Sequence, residues 1–195
     1  MAAKKKFFYQ FKITLKDSKP PIWRRIVVPA EYTFQEFAEV LIVAMGWTGL
    51  HLSGFRMREG TLINVNFPMD DGGLIDDFDD DIDAAEVELM NYLDEGEKFI
   101  FVYDFGDHWE HVVLLEKVLD DFEKDYPVVL KFKGNCPPED CGGIDWYYEL
   151  LERDDETSKE FLNEIEDYDI EKVNEFLKDC FSGEIKTIYG AGDGD

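Results

Sequence analysis

The chain has 195 residues, of which 45% are hydrophobic, and its 16 Phe, 9 Tyr and 4 Trp can fill a substantial core. Its 45 Asp and Glu against 20 Lys and Arg give a formal net charge of −25. A field of that sign repels the phosphate backbone and anionic membrane surfaces, so neither nucleic acid nor membrane is expected as a direct partner. The acidity fits a surface kept soluble by charge, or a surface that docks on a basic partner. No apolar run is long enough for a membrane span, and Gln10 and Lys12 interrupt the run after Lys4-Lys5-Lys6 before a signal sequence could form. Three cysteines, an odd count, point to a reducing compartment, and the expected location is the cytoplasm.

Alternating apolar residues from Phe7 to Lys16 predict a strand with one buried face. Asp17 to Pro21 form a turn, and a second strand runs from Ile22 to Val28, antiparallel to the first. A helix follows with both ends marked. Thr33 and Glu36 form a capping box, while Phe34, Phe37, Ala38, Leu41, Ala44 and Met45 make an apolar stripe. Gly46 supplies the left-handed C-terminal residue. Strands over His51–Arg58 and Thr61–Asn66 are joined by a Glu59-Gly60 turn. Residues Asp70–Asp83 carry eight aspartates and form a solvated loop, followed by a short helix over Ala84–Tyr92.

The segment Lys98–Tyr103 is apolar on both faces and predicts a central strand. Asp104-Phe105-Gly106-Asp107 reverses it into a strand over Trp109–Leu119, with Gly106 expected at positive φ. After a Cys-Pro-Pro loop, Gly142-Gly143 leads into three helices. The second is expected to be capped by Thr157 with Glu160 and to bury Phe161, Leu162 and Ile165. The third is capped by Asp169 and presents Val173, Phe176, Leu177 and Cys180. Strands first and helices last predict an α+β fold: a mainly antiparallel sheet covered by helices, with a helical C-terminal third. Residues 1–189 are expected to form one domain and 190–195 a frayed tail.

Pro20-Pro21-Ile22-Trp23-Arg24-Arg25, then Ala44-Met45-Gly46-Trp47 with His51-Leu52, then Tyr103-Asp104-Phe105-Gly106-Asp107 with Trp109 and His111, and finally Cys136-Pro137-Pro138-Glu139-Asp140-Cys141-Gly142-Gly143 occur in that order. In these motifs the chain resembles the Ri-plasmid open-reading-frame-three-like family over about residues 7 to 180. The family occurs on plasmids, near transposons and in bacterial and archaeal chromosomes, and the resemblance implies no established biochemical activity. Members often carry histidines where this chain has Ala38 and Ser53, so a histidine-rich metal site at those positions is not implied.

Four groups of residues could carry chemistry. In the hairpin, His111 with a carboxylate neighbour could act as a general base, and Asp104 and Asp107 either join it or close the turn as Asx residues. No Ser or Cys nucleophile is indicated beside it, and Asp-Phe-Gly lacks the phosphate loop that would make it a kinase signature. The spacing of Cys136 and Cys141 allows zinc ligation completed by His111 or His51, or two reduced thiols, or a disulfide. Asp77, Asp79, Asp81, Asp83 and Glu88 match a calcium-loop spacing, but Ile82 takes the required glycine's place, leaving weak divalent-cation binding by the acidic loop. Arg24 and Arg25 alternate faces on their strand, so one turns inward and needs a carboxylate such as Asp104, Asp107, Glu139 or Asp140, or reads an anionic ligand.

These residues point to a non-enzymatic cytoplasmic binding or adaptor module with no required cofactor. Ligand contacts are expected from Arg24, Arg25, His51, Trp109 and Asp140, and the partner is an unidentified protein or small molecule. One alternative is a small metal-assisted enzyme at the hairpin and the Cys136–Cys141 loop, using His111, Asp104, Asp107 or Glu139. Another is an acidic accessory partner of a mobile-element protein.

Overall fold

A computed structural model describes residues 7–65, 82–163, 165, 167–183 and 186–188. Within them lie eight strands: β1 (Phe8–Leu15), β2 (Trp23–Pro29), β3 (Ser53–Arg56), β4 (Leu62–Val65), β5 (Ile82–Asp83), β6 (Lys98–Tyr103), β7 (Trp109–Leu119) and β8 (Val128–Lys133). They form one sheet in the order β5-β4-β3-β6-β7-β1-β2-β8, in which every neighbouring pair except β4 and β5 is antiparallel. The hairpin of β6 and β7 is central. Four α-helices, α1 (Phe34–Met45), α2 (Gly143–Glu152), α3 (Glu156–Asn163) and α4 (Ile170–Phe181), complete an α+β fold.

Both ends of α1 form as its residues dictate. The Thr33 side chain accepts from Glu36 N and the Glu36 side chain from Thr33 N, while Gly46 takes φ 99° and closes the last turn. Its buried surface exceeds the predicted stripe: Val40, Ile42 and Val43 are enclosed as well. A helix whose buried surface extends beyond one stripe must be covered on both sides. The sheet covers one side, through contacts such as Phe37 with Phe11 and Phe55. On the other, α4 contributes Leu177, Cys180 and Phe181 to the core, and Phe181 also packs against the ring of Tyr32. Nearby, Glu39 is buried and accepts the backbone N–H of Ile188. Its carboxyl is held above the ordinary range by that burial.

Several expected elements differ. The helix expected over Ala84–Tyr92 is a turn and a short 3₁₀ helix, Leu89–Asn91. Carbonyls of Ala84 and Val87 accept the free N–H groups of Gln35 and Phe34 at the start of α1, which ties this segment across the helix end. Ile82–Asp83, expected as loop, pairs with β4, while residues 70–81 of that loop and the expected tail at 190–195 lie outside the described residues. The cap of α3 is Asp155, two residues before Thr157: its carbonyl accepts Lys159 N and its carboxylate accepts Ser158 N and Ser158 Oγ. In α4, Asp169 caps as expected, but Phe176 is exposed. Strand β8 was not expected at all. Its backbone at Val129 is bonded in both directions by the Asn174 side chain of α4.

Arg24 and Arg25 do take opposite faces of β2. Arg25 makes a two-point bond to Glu116 of β7 (2.6 and 2.8 Å) over the intervening β1. Arg24 is fully buried and, contrary to expectation, touches no carboxylate among the described residues. Its Nε donates to Ala44 O (3.0 Å), and Nη1 to Gly134 O (2.9 Å), Trp23 O and Lys133 O. Nη2 points at Cys136 Sγ (3.4 Å), and the Tyr168 ring covers the guanidinium at 3.8 Å. The carbonyls of α1's last turn carry the negative end of the helix dipole, which supplies part of the missing counter-charge.

Replacing Arg24 with Met keeps the volume but leaves Gly134 O without its side-chain donor and Ala44 O with the Tyr168 hydroxyl alone. Urea denaturation is expected to show a loss of about 3 kcal/mol. A loss within about 0.5 kcal/mol would mean that these carbonyls find other partners.

Candidate functional site

The four ordered motifs converge on the loop Cys136–Gly143. The first motif reaches it through Arg24 and Cys136. The second reaches it twice: Trp47 Nε1 donates to Pro137 O (3.0 Å), and Thr48 N donates to Glu139 Oε2 (2.9 Å). The third brings Tyr103, whose hydroxyl donates to Glu139 Oε1, and Asp107, whose Oδ2 accepts Gly142 N (2.9 Å). Tyr103 also stacks on Trp47, with ring centres 5.2 Å apart. Burial and the Glu139 carboxylate push the Tyr103 phenol upward, so it remains a donor.

The hairpin turn is built by Asp104 rather than by Gly106. Asp104 takes φ 55° and His108 takes φ 57°, while Gly106 keeps an ordinary backbone. Asp104 Oδ1 accepts Gly106 N (2.8 Å) and Asp107 N (3.3 Å), and its carbonyl accepts His108 N. Asp107, expected to help close the same turn, instead fastens the Cys loop. On the outer face Glu110 holds Lys16 and Arg56, and its carboxyl is kept below the ordinary range chiefly by Lys16.

His111 belongs to the core. It is fully buried, its Nδ1 lies 3.4 Å from Phe101 O, and it meets Trp47 edge to face. Burial lowers its pKa from 6.5 to about 4, so the ring is neutral at physiological pH. Trp109 is equally buried, and neither Trp109 Nε1 nor His111 Nε2 has a hydrogen-bond partner among the described residues. Neither side chain is presented to solvent as a base or a ligand contact.

The three thiols are free. Burial pushes Cys136 and Cys141 up to about 11, and Asp107 adds to the effect at Cys141. Both are therefore protonated near neutral pH, the form that does not attack as a nucleophile. Cys136, Cys141 and His111 do not form a ligand cluster. Among the described residues the one group of three whose candidate ligand atoms lie within 4.8 Å of one another is His51, Asp104 and Asp140. His51 lies between the two carboxylates, Nδ1 3.7 Å from Asp104 Oδ2 and Nε2 3.2 Å from Asp140 Oδ1. Of the calcium-loop residues, Asp77, Asp79 and Asp81 lie outside the described residues, Asp83 accepts Ala85 N, and Glu88 bridges to Thr33.

Beside the loop is a cleft of about 340 Å³ between the end of α1, the loop and the start of α4. Trp47, Pro137, Pro138, Tyr168 and Val173 supply an apolar lining, with Glu139, Asp167 and Asp169 as acidic groups and Lys172 as a cation. The chain is thus an α+β protein with a mainly antiparallel sheet, in which a Cys-Pro-Pro loop joins the strand-two arginine, the tryptophan after the first helix and the central hairpin. It is a member of the plasmid pRiA4b ORF-3-like protein family, whose model matches residues 7–176. It is 39% identical over 145 residues to the uncharacterized protein y4hQ of Sinorhizobium fredii, covering 73% of this chain and 71% of that protein. The crystal structure of MM3350 from Methanosarcina mazei Go1, a protein of unknown function, superposes with a TM-score of 0.72 at 28% identity, covering 87% of this chain and 98% of that one.

Two measurements probe this assembly. Gly143 has φ 84°, and a Cβ there would stand 2.4 Å from Asp107 O. Gly143→Ala is therefore expected to lower stability by about 2–3 kcal/mol in thermal or urea unfolding. For His111 the folded pKa is depressed, so the unfolded chain takes up its proton first as pH falls. Its share of stability is complete above pH 6.5 and is lost progressively towards about 4, a span on the order of 3 kcal/mol. Urea midpoints compared at pH 7 and pH 5 should fall more steeply for the native chain than for His111→Gln; equal slopes would contradict a buried neutral ring.

Proposed function

We propose that this chain is a cytoplasmic, non-enzymatic binding module whose cleft beside the Cys136–Gly143 loop takes a basic, partly apolar segment of a protein partner. The observation that carries this is the cleft's composition: among the described residues, an apolar lining of Trp47, Pro137, Pro138 and Tyr168 with three carboxylates against one lysine. A cationic side chain with an apolar stem matches both parts: the stem covers aromatic and proline surface, and the charge meets the acidic groups. The net charge of −25 adds long-range attraction for such a partner. The chemistry of the loop points the same way. Its thiols are protonated, Glu139 is engaged by Tyr103 and Thr48, and His111 is enclosed, so the residues that could have formed a nucleophilic site serve to shape the loop. Nucleic acid is not expected as the partner, for the electrostatic reason that excludes it from the sequence.

Synthetic peptides mixing Arg or Lys with Leu and Trp, and matched peptides carrying Glu instead, provide the test. Amide chemical-shift changes with the basic set should map to residues 45–48, 136–139 and 167–173, and binding should weaken as salt rises. Lys172→Glu, which removes the cleft's cation, should tighten binding about threefold at low salt. Equal binding of the acidic peptides, or changes centred elsewhere on the sheet, would exclude this function for the cleft.

A further inference from the structure

We propose that His51, Asp104 and Asp140 form a binding site for a first-row divalent metal ion. The three residues are not among those that line the peptide cleft. One imidazole nitrogen and two carboxylate oxygens are a borderline ligand set, suited to ions such as Zn²⁺ or Mn²⁺ rather than to an all-oxygen ion such as Ca²⁺. Candidate ligand atoms of all three residues fall within 4.8 Å of one another. The 3.7 Å from His51 Nδ1 to Asp104 Oδ2 is longer than a hydrogen bond. The two short contacts use opposite nitrogens of the His51 ring, and one ion can take only one of them. The bound geometry is therefore read from one atom per residue, and these lie within 4.8 Å of one another. Ligands on one ion with bonds of about 2.1 Å stand roughly 3.0–3.4 Å apart, so the exposed Asp140 and the His51 ring must close on the ion as it binds.

Each ligand is held by contacts of its own. Asp104 gives Oδ1 to the turn amides, which leaves Oδ2 facing His51. Asp140 sits at φ 59° in the loop, next to Glu139, which Tyr103 and Thr48 anchor. His51 rests edge to face on the Tyr103 ring, with centres 5.7 Å apart. Support of this kind pre-organises a metal site, so that less ordering is required when the ion arrives. The imidazole separates this group from the acidic run at 70–83, which offers carboxylates alone. Three protein ligands leave open coordination positions for water or an organic donor. Leu50 and Phe105, sequence neighbours of His51 and Asp104, are 70% and 52% exposed, so apolar surface borders the site.

The experiment uses the full chain, stripped with chelator and titrated with Zn²⁺ and with Mn²⁺. Zn²⁺ binding is followed by calorimetry and by long-range ¹H–¹⁵N spectra of the three histidine rings. One tight equivalent is expected, with the ring nitrogens of His51 shifting and those of His108 and His111 unchanged. His51→Gln and Asp140→Asn should each weaken this equivalent at least about tenfold. Asp104→Asn should do the same while keeping the turn, since Asn accepts the same amides and tolerates positive φ. Asp140 is exposed, so its variant is expected to unfold at the native temperature and isolates ligation from folding. Weak uptake of several ions with no change at His51, affinity unaltered by the His51 variant, or no uptake would each overturn the site. Peptide shifts in the cleft are read separately and stand or fall on their own.

Discussion

Arg24 carries a charge that cannot be shed, in the middle of a protein where no carboxylate of the described residues meets it. Its five donors instead collect the ends of three structural elements: the last turn of α1 through Ala44, the pairing of β2 with β8 through Trp23 and Lys133, and the start of the loop through Gly134 and Cys136. Carbonyls from all three are bonded by one side chain, with the Tyr168 hydroxyl sharing Ala44 O, and among the described residues that side chain is desolvated without an ion pair. The arrangement works only if the helix end, the sheet edge and the loop hold their relative positions. Trp47, Tyr103 and Glu139 extend the same fixed frame towards the hairpin.

The fold was largely legible because its strongest signals are local. Alternation from Phe7, the capping box at Thr33 and Glu36, and the turn between β6 and β7 each depend on neighbours within a few residues. What was hidden depends on distant partners. Strand β8 has a mostly exposed pattern, and its place follows from pairing with β2 and bonding to Asn174, which no local pattern reveals. The segment before the 3₁₀ helix gives its carbonyls to α1, and a helix-compatible stretch stays irregular. Phe176 obeys the helical spacing of α4 yet stands outside, since α4 buries a narrower face than that spacing allows.

The candidate site shows the same division. The ordered motifs suggested the loop and the hairpin as partners, and the two do meet, through Asp107 with Gly142 N and Tyr103 with Glu139. The pairing of chemistry was different. His111, two residues beyond a conspicuous turn, alternates inward with Trp109 and Val113 and loses its charge to burial. His51 was named only as a ligand contact or an optional fourth ligand, and its two aspartates come from positions about 50 and 90 residues away. The signal that could have found it is the left-handed backbone at Asp104 and Asp140, which favours short polar side chains, but a sequence shows those residues without showing their φ.

The enclosure of α1 has a consequence for the way the protein is made. The helix occupies residues 34–45, yet one of its covers, α4, is not complete until residue 181. A chain emerging from the ribosome can form the sheet and lay α1 upon it long before α4 exists to shield the outer side. Throughout that interval an apolar helix surface faces water or whatever binds exposed apolar segments. The last cooperative step therefore belongs to the carboxyl end, and premature termination within α4 yields a product with its central helix uncovered.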